Sequence, residues 1–185
     1  SWRAKYGGKG VATSGGVGAT NIFFPFIMLT AKIVEAKDHP SAEHLSVLKI
    51  DLGPGKKSHQ LVSGIRKSYP SVPDALVGKT VIIIENVMAS NFKGVKTSAL
   101  LMCVETKSGK KVVILPDGTP PGAKLVPEGA KAAKKKFPGK DFSKTPITID
   151  LDGIMIFESR KIKSDTKKVT LPAIPKDFCG TKLVI

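Results

Sequence analysis

At 185 residues, 41% of them hydrophobic, the chain is long enough for one domain or two small ones and too apolar to be disordered throughout. Its 30 Lys and Arg against 15 Asp and Glu leave a net charge of +15. Such an excess repels itself in a compact state, so it points to a polyanionic partner: nucleic acid first, then an anionic membrane, a heparin-like polymer or an acidic protein surface. Two cysteines are too few for a disulfide framework, and no apolar run approaches the ~18 residues of a membrane span, so a reducing, cytoplasmic setting without a membrane partner is expected.

The N-terminal stretch 1–26 reads as a flexible linker, because "GGKGVATSGGVGAT" (7–20) is rich in Gly, Ser and Thr and has no periodicity. It fails the dinucleotide-loop spacing, and "VGKT" (77–80) lacks the earlier glycine of a phosphate loop. The apolar stretch 22–29 follows basic residues as in a signal peptide, but Pro25 interrupts it and no clear cleavage site follows. The chain opens on Ser1 rather than Met, as expected of a module excised from a longer protein.

From residue 27 the pattern turns to strands: 27–35, 45–52, 60–63, 80–85 and 97–105, with 111–115 following a Ser108-Gly109 turn. Residues 71–77, with Pro73 early, suit a short helix between the third and fourth strands. Five short strands with a helix at that place are the order of an OB-fold barrel, so a mainly β chain with residues 27–120 as the barrel is predicted. Residues 121–185 follow the turn-dense "PDGTPPG" (116–122) and hold 14 basic against 7 acidic residues. One or two helical turns are expected at 130–136, a hairpin at 147–157 around Asp152-Gly153, and short strands at 169–174 and 182–185. So basic and loop-rich a segment makes a poor independent core, so it should pack on the barrel as a β-rich subdomain.

In an OB-fold the loops joining strands 1–2 and 4–5 border the ligand face. The second of these holds Asn86, Asn91, Lys93, Gly94, Lys96 and Ser98. Gly94 permits close backbone approach, the two lysines can neutralise phosphates, and the amides and hydroxyl can bond phosphate, sugar or base edges. Phe92 is either a stacking platform or a plug over the barrel end. Lys131, Lys134, Lys135 and Lys136 form a second basic cluster, in a less constrained segment that favours loose attraction. No catalytic residues emerge: the carboxylates are scattered and no Ser-His-Asp spacing is readable. His39 and His44 lack the partners of a zinc site, so no metal or other cofactor is expected, and His39-Pro40 reads as a turn with His39 capping or packing. Cys103, inside the apolar run 99–104, reads as a core residue.

"VEAKDHPSAEHLSVLKIDLG" (34–53), "QLVSGI" (60–65), "LVGKTVIIIENV" (76–87) and "FKGVKTSALLMC" (92–103) strongly resemble the tRNA-binding domain family, found on methionyl- and tyrosyl-tRNA synthetases and on synthetase-associated cofactors. The resemblance covers about residues 27–120. The tail with "AAKKKF" (132–137) is similar, more weakly, to the extension of the endothelial monocyte-activating polypeptide II subgroup, in which it imitates a dimer partner; a monomer is implied. The family's loop reads Asn-Leu-Lys-Pro-x-Lys-x-Arg-Gly-x-x-Ser. Asn86 and Gly94 match it, and Ser98 is set against the serine. Lys93 replaces the arginine and loses its two-pronged geometry, Val87 replaces the leucine and Ala89 the proline. Met88 and Asn91 stand where lysines are usual, which leaves compensation to Lys96 and the tail or weakens RNA binding. Leu29 stands where the subgroup's cytokine-like segment has arginine. The resemblance implies a non-catalytic module that binds tRNA by shape and phosphate and serves a synthetase or multi-synthetase complex. A cytokine-like or heparin- or acidic-protein-binding module is the alternative.

Overall fold

The computed structural model describes residues 22–131, 133–165 and 175–185. Strand β1 (Ile22–Phe23) leads into the long β2 (Met28–Asp38), then β3 (Ser46–Asp51) and β4 (His59–Ser63). Helix α1 (Val72–Leu76) follows, as expected from 71–77; Ser71 caps it by accepting from the Asp74 N–H, and proline sits in its first turn. Then come β5 (Thr80–Ile84), β6 (Ser90–Phe92), β7 (Val95–Thr97), β8 (Leu100–Leu101), β9 (Cys103–Thr106) and β10 (Gly109–Val112). The single strand expected at 97–105 is thus broken into three, because the chain must both complete a hairpin and turn the barrel's corner.

β2 pairs antiparallel with β3 and with β5, β3 with β4, and β5 with β8. The remaining seam closes where the Ser98 N–H donates to the Gln60 carbonyl (3.0 Å) and the Val62 N–H donates to Thr97 Oγ1 (3.1 Å). The result is a five-stranded barrel with the OB-fold order, helix α1 lying between its third and fourth strands.

The C-terminal segment adds β11 (Lys124–Pro127), β12 (Ala130–Lys131), β13 (Thr148–Ile149), β14 (Met155–Phe157), β15 (Arg160–Ser164) and β16 (Leu183–Val184). It packs on the barrel and extends its sheet, β11 pairing with the start of β2 and β15 with β11, while β16 joins β9 and β10 in a separate three-stranded sheet. The expected hairpin is present as β13 and β14, with Asp150 Oδ1 accepting from the Asp152 and Ile154 N–H groups. The join is sterically exacting at Gly122. Its φ is +86°, its N–H bonds the Thr30 carbonyl (2.7 Å), and a Cβ there would lie 2.3 Å from the Leu52 carbonyl oxygen.

Two cores result. The barrel interior holds Leu29, Ile33, Leu48, Ile50, Leu61, Leu76, Val81, Ile83 and Leu101. A second core lies between the barrel's outer face and the C-terminal segment, where Met28, Ile82, Ile84 and Val104 meet Phe137, Phe142, Ile147, Met155 and Phe157. This is why "VIII" (81–84) is an unbroken apolar run: β5 is buried on both faces. Phe24 and Phe26 are also in the second core, touching Phe157, Phe137 and Phe142 in edge-on or tilted ring contacts. The linker expected over 1–26 therefore stops short of residues 22–26, which belong to the fold; the rest of it lies outside the described residues.

A second correction concerns 130–136. Ala130–Lys131 is a strand, paired in parallel with β1, and residues 133–136 are irregular rather than helical. Alanine and lysine favour a helix, but here backbone pairing and the burial of Phe137 decide. The strand expected at 169–174 lies outside the described residues; that at 182–185 is β16.

Candidate nucleic-acid interface

Residues 90–97 form a two-stranded ribbon, β6 against β7, with Lys93-Gly94 as its tip. Both tip residues have positive φ, +49° and +89°, the conformation a two-residue hairpin turn demands. Asn91 Oδ1 accepts the Gly94 N–H at 2.7 Å and closes the turn. Asn91, Phe92, Lys93, Gly94 and Lys96 are all exposed.

The ribbon is docked to the loop between β2 and β3. The buried His39 donates from Nε2 to the Phe92 carbonyl (2.8 Å), and its Nδ1 accepts the Ser41 N–H (3.0 Å). These two bonds set the tautomer, and His39 packs within a turn as expected. The two loops that border an OB-fold ligand face are thereby joined through one imidazole. Arg66 holds the other side of this loop, pairing with Asp38 at 3.2 Å and donating to the Ala42 carbonyl.

Asn86 requires a correction. It is only 4% exposed, and its carboxamide faces inward. Oδ1 accepts the Ile27 N–H (2.7 Å), while Nδ2 donates to the Pro25 carbonyl (2.8 Å) and the Lys135 carbonyl (2.9 Å). With those bonds made inside the protein, the Asn86 side chain acts as scaffold and is not presented at the surface. Ser98 is similar: Oγ donates to the Gln60 carbonyl and lies 2.9 Å from His59 Nδ1, so it ties the barrel seam. The family's spacing of three residues after Gly94 in fact falls on Thr97, not Ser98; Thr97 is buried, accepting from Val62 and donating to the Ala99 carbonyl.

Around Asn86 the second basic cluster meets the first. The Phe137 N–H donates to the Asn86 carbonyl (3.0 Å) and the Met88 N–H to the Phe137 carbonyl (2.7 Å). With the Asn86–Lys135 bond, three hydrogen bonds stitch residues 135–137 to the base of the ribbon. Lys134, Lys135 and Lys136 are exposed along this stitched segment, and Phe137 anchors it in the second core. The segment is therefore fixed, contrary to the looser tether that its sequence suggests. Lys131, also exposed, lies earlier, on β12.

A cleft of about 590 Å³ opens between these parts. Its lining includes Met88, Phe92, Leu100, Pro138, Gly139 and Lys140. Lys140 is absent from the site residues expected from the sequence, although its charge, four residues beyond the basic run 134–136, is a signal for it; Met88, read there only as a missing loop cation, is a lining residue instead. No group of His, Cys, Asp and Glu among the described residues could hold a metal ion, and no described helix is long and apolar enough to cross a membrane. Cys103 is fully buried in the barrel, where burial pushes its thiol up to about 12 against the opposing pull of Lys110.

Residues 28–124 match the family described as putative tRNA binding domain. A probable cytoplasmic methionine–tRNA ligase of Dictyostelium discoideum is 31% identical over 156 residues, covering 81% of this chain and 19% of that protein. Methionine–tRNA ligases of Pyrococcus horikoshii and Borrelia turicatae are 39% and 31% identical over 84 and 188 residues, 45% and 91% of this chain and 11% and 25% of theirs. The chain thus spans a quarter or less of these relatives. Among solved structures, the C-terminal domain of Plasmodium vivax p43 shares the fold with a TM-score of 0.69, over 86% of this chain and 96% of that one, at 19% identity.

Proposed function

Since the chain belongs to the putative tRNA-binding domain family, we propose that it binds folded tRNA by shape and phosphate backbone, using the ribbon lysines Lys93 and Lys96 together with Lys134, Lys135 and Lys136. The observation that carries this reading is the stitching of residues 135–137 to the ribbon's base, which turns two basic clusters into parts of one rigid scaffold. Rigid placement favours recognition of a fixed three-dimensional pattern of phosphates, whereas RNA duplexes offer little sequence to read from outside. The aromatic content of 6% suits a surface that reads backbone more than bases.

The similarity to methionine–tRNA ligases supports a role as an appended module that retains or delivers tRNA for a synthetase or a multi-synthetase complex. Burial of the outward faces of β5 and β9 under the C-terminal segment supports a monomer. Salt titrations test the binding mode. With folded tRNA the log–log slope should fall by about 0.9 for each duplex phosphate contact removed, and tRNAs with different anticodons should bind alike. Equal affinity for heparin of matched charge would favour the alternative, a signalling module for acidic polymers.

A further inference from the structure

The cleft beside the ribbon is not accounted for by phosphate contacts. Met88 and Phe92 stand 45% and 44% exposed at its wall, among few large apolar side chains so exposed on the described surface. Leu45, Val62, Leu100 and Ile185 continue an apolar lining, and no carboxylate side chain belongs to it. Among the described residues, one free cation borders it. Lys140 is part of the lining and offers its charge to the cleft, whereas Lys110, 3.6 Å from where a Gly64 side chain would begin, is engaged by the Ile185 main-chain oxygen (2.7 Å). An apolar, partly aromatic floor with Lys140 at its edge, the ribbon lysines nearby and no side-chain anion in its described lining matches one chemistry closely. A nucleobase has apolar faces, and the phosphates on either side of it carry negative charge. An apolar peptide would fill the floor but leave Lys140 and the ribbon lysines without counter-charges.

We infer that this cleft captures an unpaired nucleotide of the bound RNA, its base against Phe92 and Met88 and its flanking phosphate at Lys140. The proposal rests on the tRNA reading above and adds a single-stranded contact to it. A volume of about 590 Å³ accommodates one or two unstacked nucleotides and is too small for a duplex. Stacking tolerates any base, so the cleft favours unpaired over paired RNA and not one sequence over another. Part of its wall, Pro138–Lys140, comes from the C-terminal segment, so the site exists only where that segment packs on the barrel.

The experiment uses the full chain, its Phe92→Ala and Lys140→Ala variants, and four probes: tetra-adenylate, folded tRNA, heparin and a short leucine-rich peptide. Phe92 is exposed and bonds His39 only through its carbonyl, so Phe92→Ala should fold; an unchanged resonance of the His39 Nε2 proton, which makes that bond, checks this. Tetra-adenylate should shift the methyl resonances of Met88 and Leu100. Phe92→Ala should weaken it by about fivefold to a hundredfold while leaving heparin binding unchanged. Lys140→Ala should lower the tetra-adenylate salt slope by about 0.7. Unchanged tetra-adenylate affinity in Phe92→Ala, or tighter binding of the peptide than of tetra-adenylate at Met88, would overturn the proposal. If wild-type chain binds tRNA and Phe92→Ala binds both RNAs equally well, only the cleft falls; failure of the wild type to bind tRNA would count against the function itself.

Discussion

The ribbon 90–97 and the stitched segment 133–140 both expose lysines beside the same cleft, but they are held by different forces. The ribbon is held locally: a two-residue turn, the Asn91 side chain and one bond from His39. The segment has no repetitive structure over residues 133–136, and its position derives from distant residues, Asn86 through both its carboxamide and its carbonyl and Phe26 through the ring of Phe137 in the second core. Order in a basic segment can therefore come from what its neighbours bury and bond, without any regular element of its own. The ribbon's order is conformational and cheap to disturb; the segment's is tied to the stability of the whole fold.

Phe137→Ala should break this comparison most severely. It removes a fully buried ring and should cost about 3–5 kcal/mol, read as a lowered denaturant midpoint. It should also release Lys134–Lys136, so that tRNA affinity falls even where the chain is still folded. Asn86→Ala should come next. It leaves the Ile27 N–H and the Pro25 and Lys135 carbonyls short of a partner, a loss of about 2–4 kcal/mol, at a residue whose side chain is buried. Amide exchange should quicken at Ile27 as well as across 135–137; protection unchanged at both places would show that the stitch does not hold the segment.

Gly94→Val probes the ribbon alone. Nothing lies within 4 Å of the added Cβ, so the cost is conformational, about 1–2 kcal/mol at the turn, with little change in the global midpoint. Discrimination between folded tRNA and single-stranded RNA should drop. The barrel beneath should be indifferent to all of this, and its buried thiol reports on it. Because folding raises the Cys103 pKa to about 12, the unfolded chain loses that proton first as pH rises. The stability contributed is complete below the unfolded thiol pKa, near 8.5–9, and declines from there towards 12. Cys103→Ala should flatten that part of the stability–pH curve, and in the native protein a thiol reagent should spare Cys103.

The barrel was legible because each of its strands alternates or carries a long apolar run and the turns between them are marked by glycine and proline. The second core was less so: Phe24 and Phe26 follow a glycine-rich stretch that masks them, and nothing local ties them to Phe137 or Phe157, more than a hundred residues on. Asn86 beside a lysine-bearing loop looks like a ligand-facing amide. One signal does give it away. It continues the alternation Ile82, Ile84, Asn86, so its side chain falls on the face that enters the second core. For residues 133–136 no local signal exists, since helix propensity points one way and tertiary bonds another.

Ribbon and stitched segment are expected to bind one tRNA together. The direct measurement is the salt slope for folded tRNA in three variants: Lys93→Ala with Lys96→Ala, Lys134→Ala with Lys135→Ala and Lys136→Ala, and all five combined. One tRNA per chain is expected, with a combined loss of slope equal to the sum of the separate losses, about 0.9 for each contact removed. A combined slope no lower than that of one partial variant would mean that only one region touches the RNA, and two tRNAs per chain would mean separate sites; either result contradicts the account.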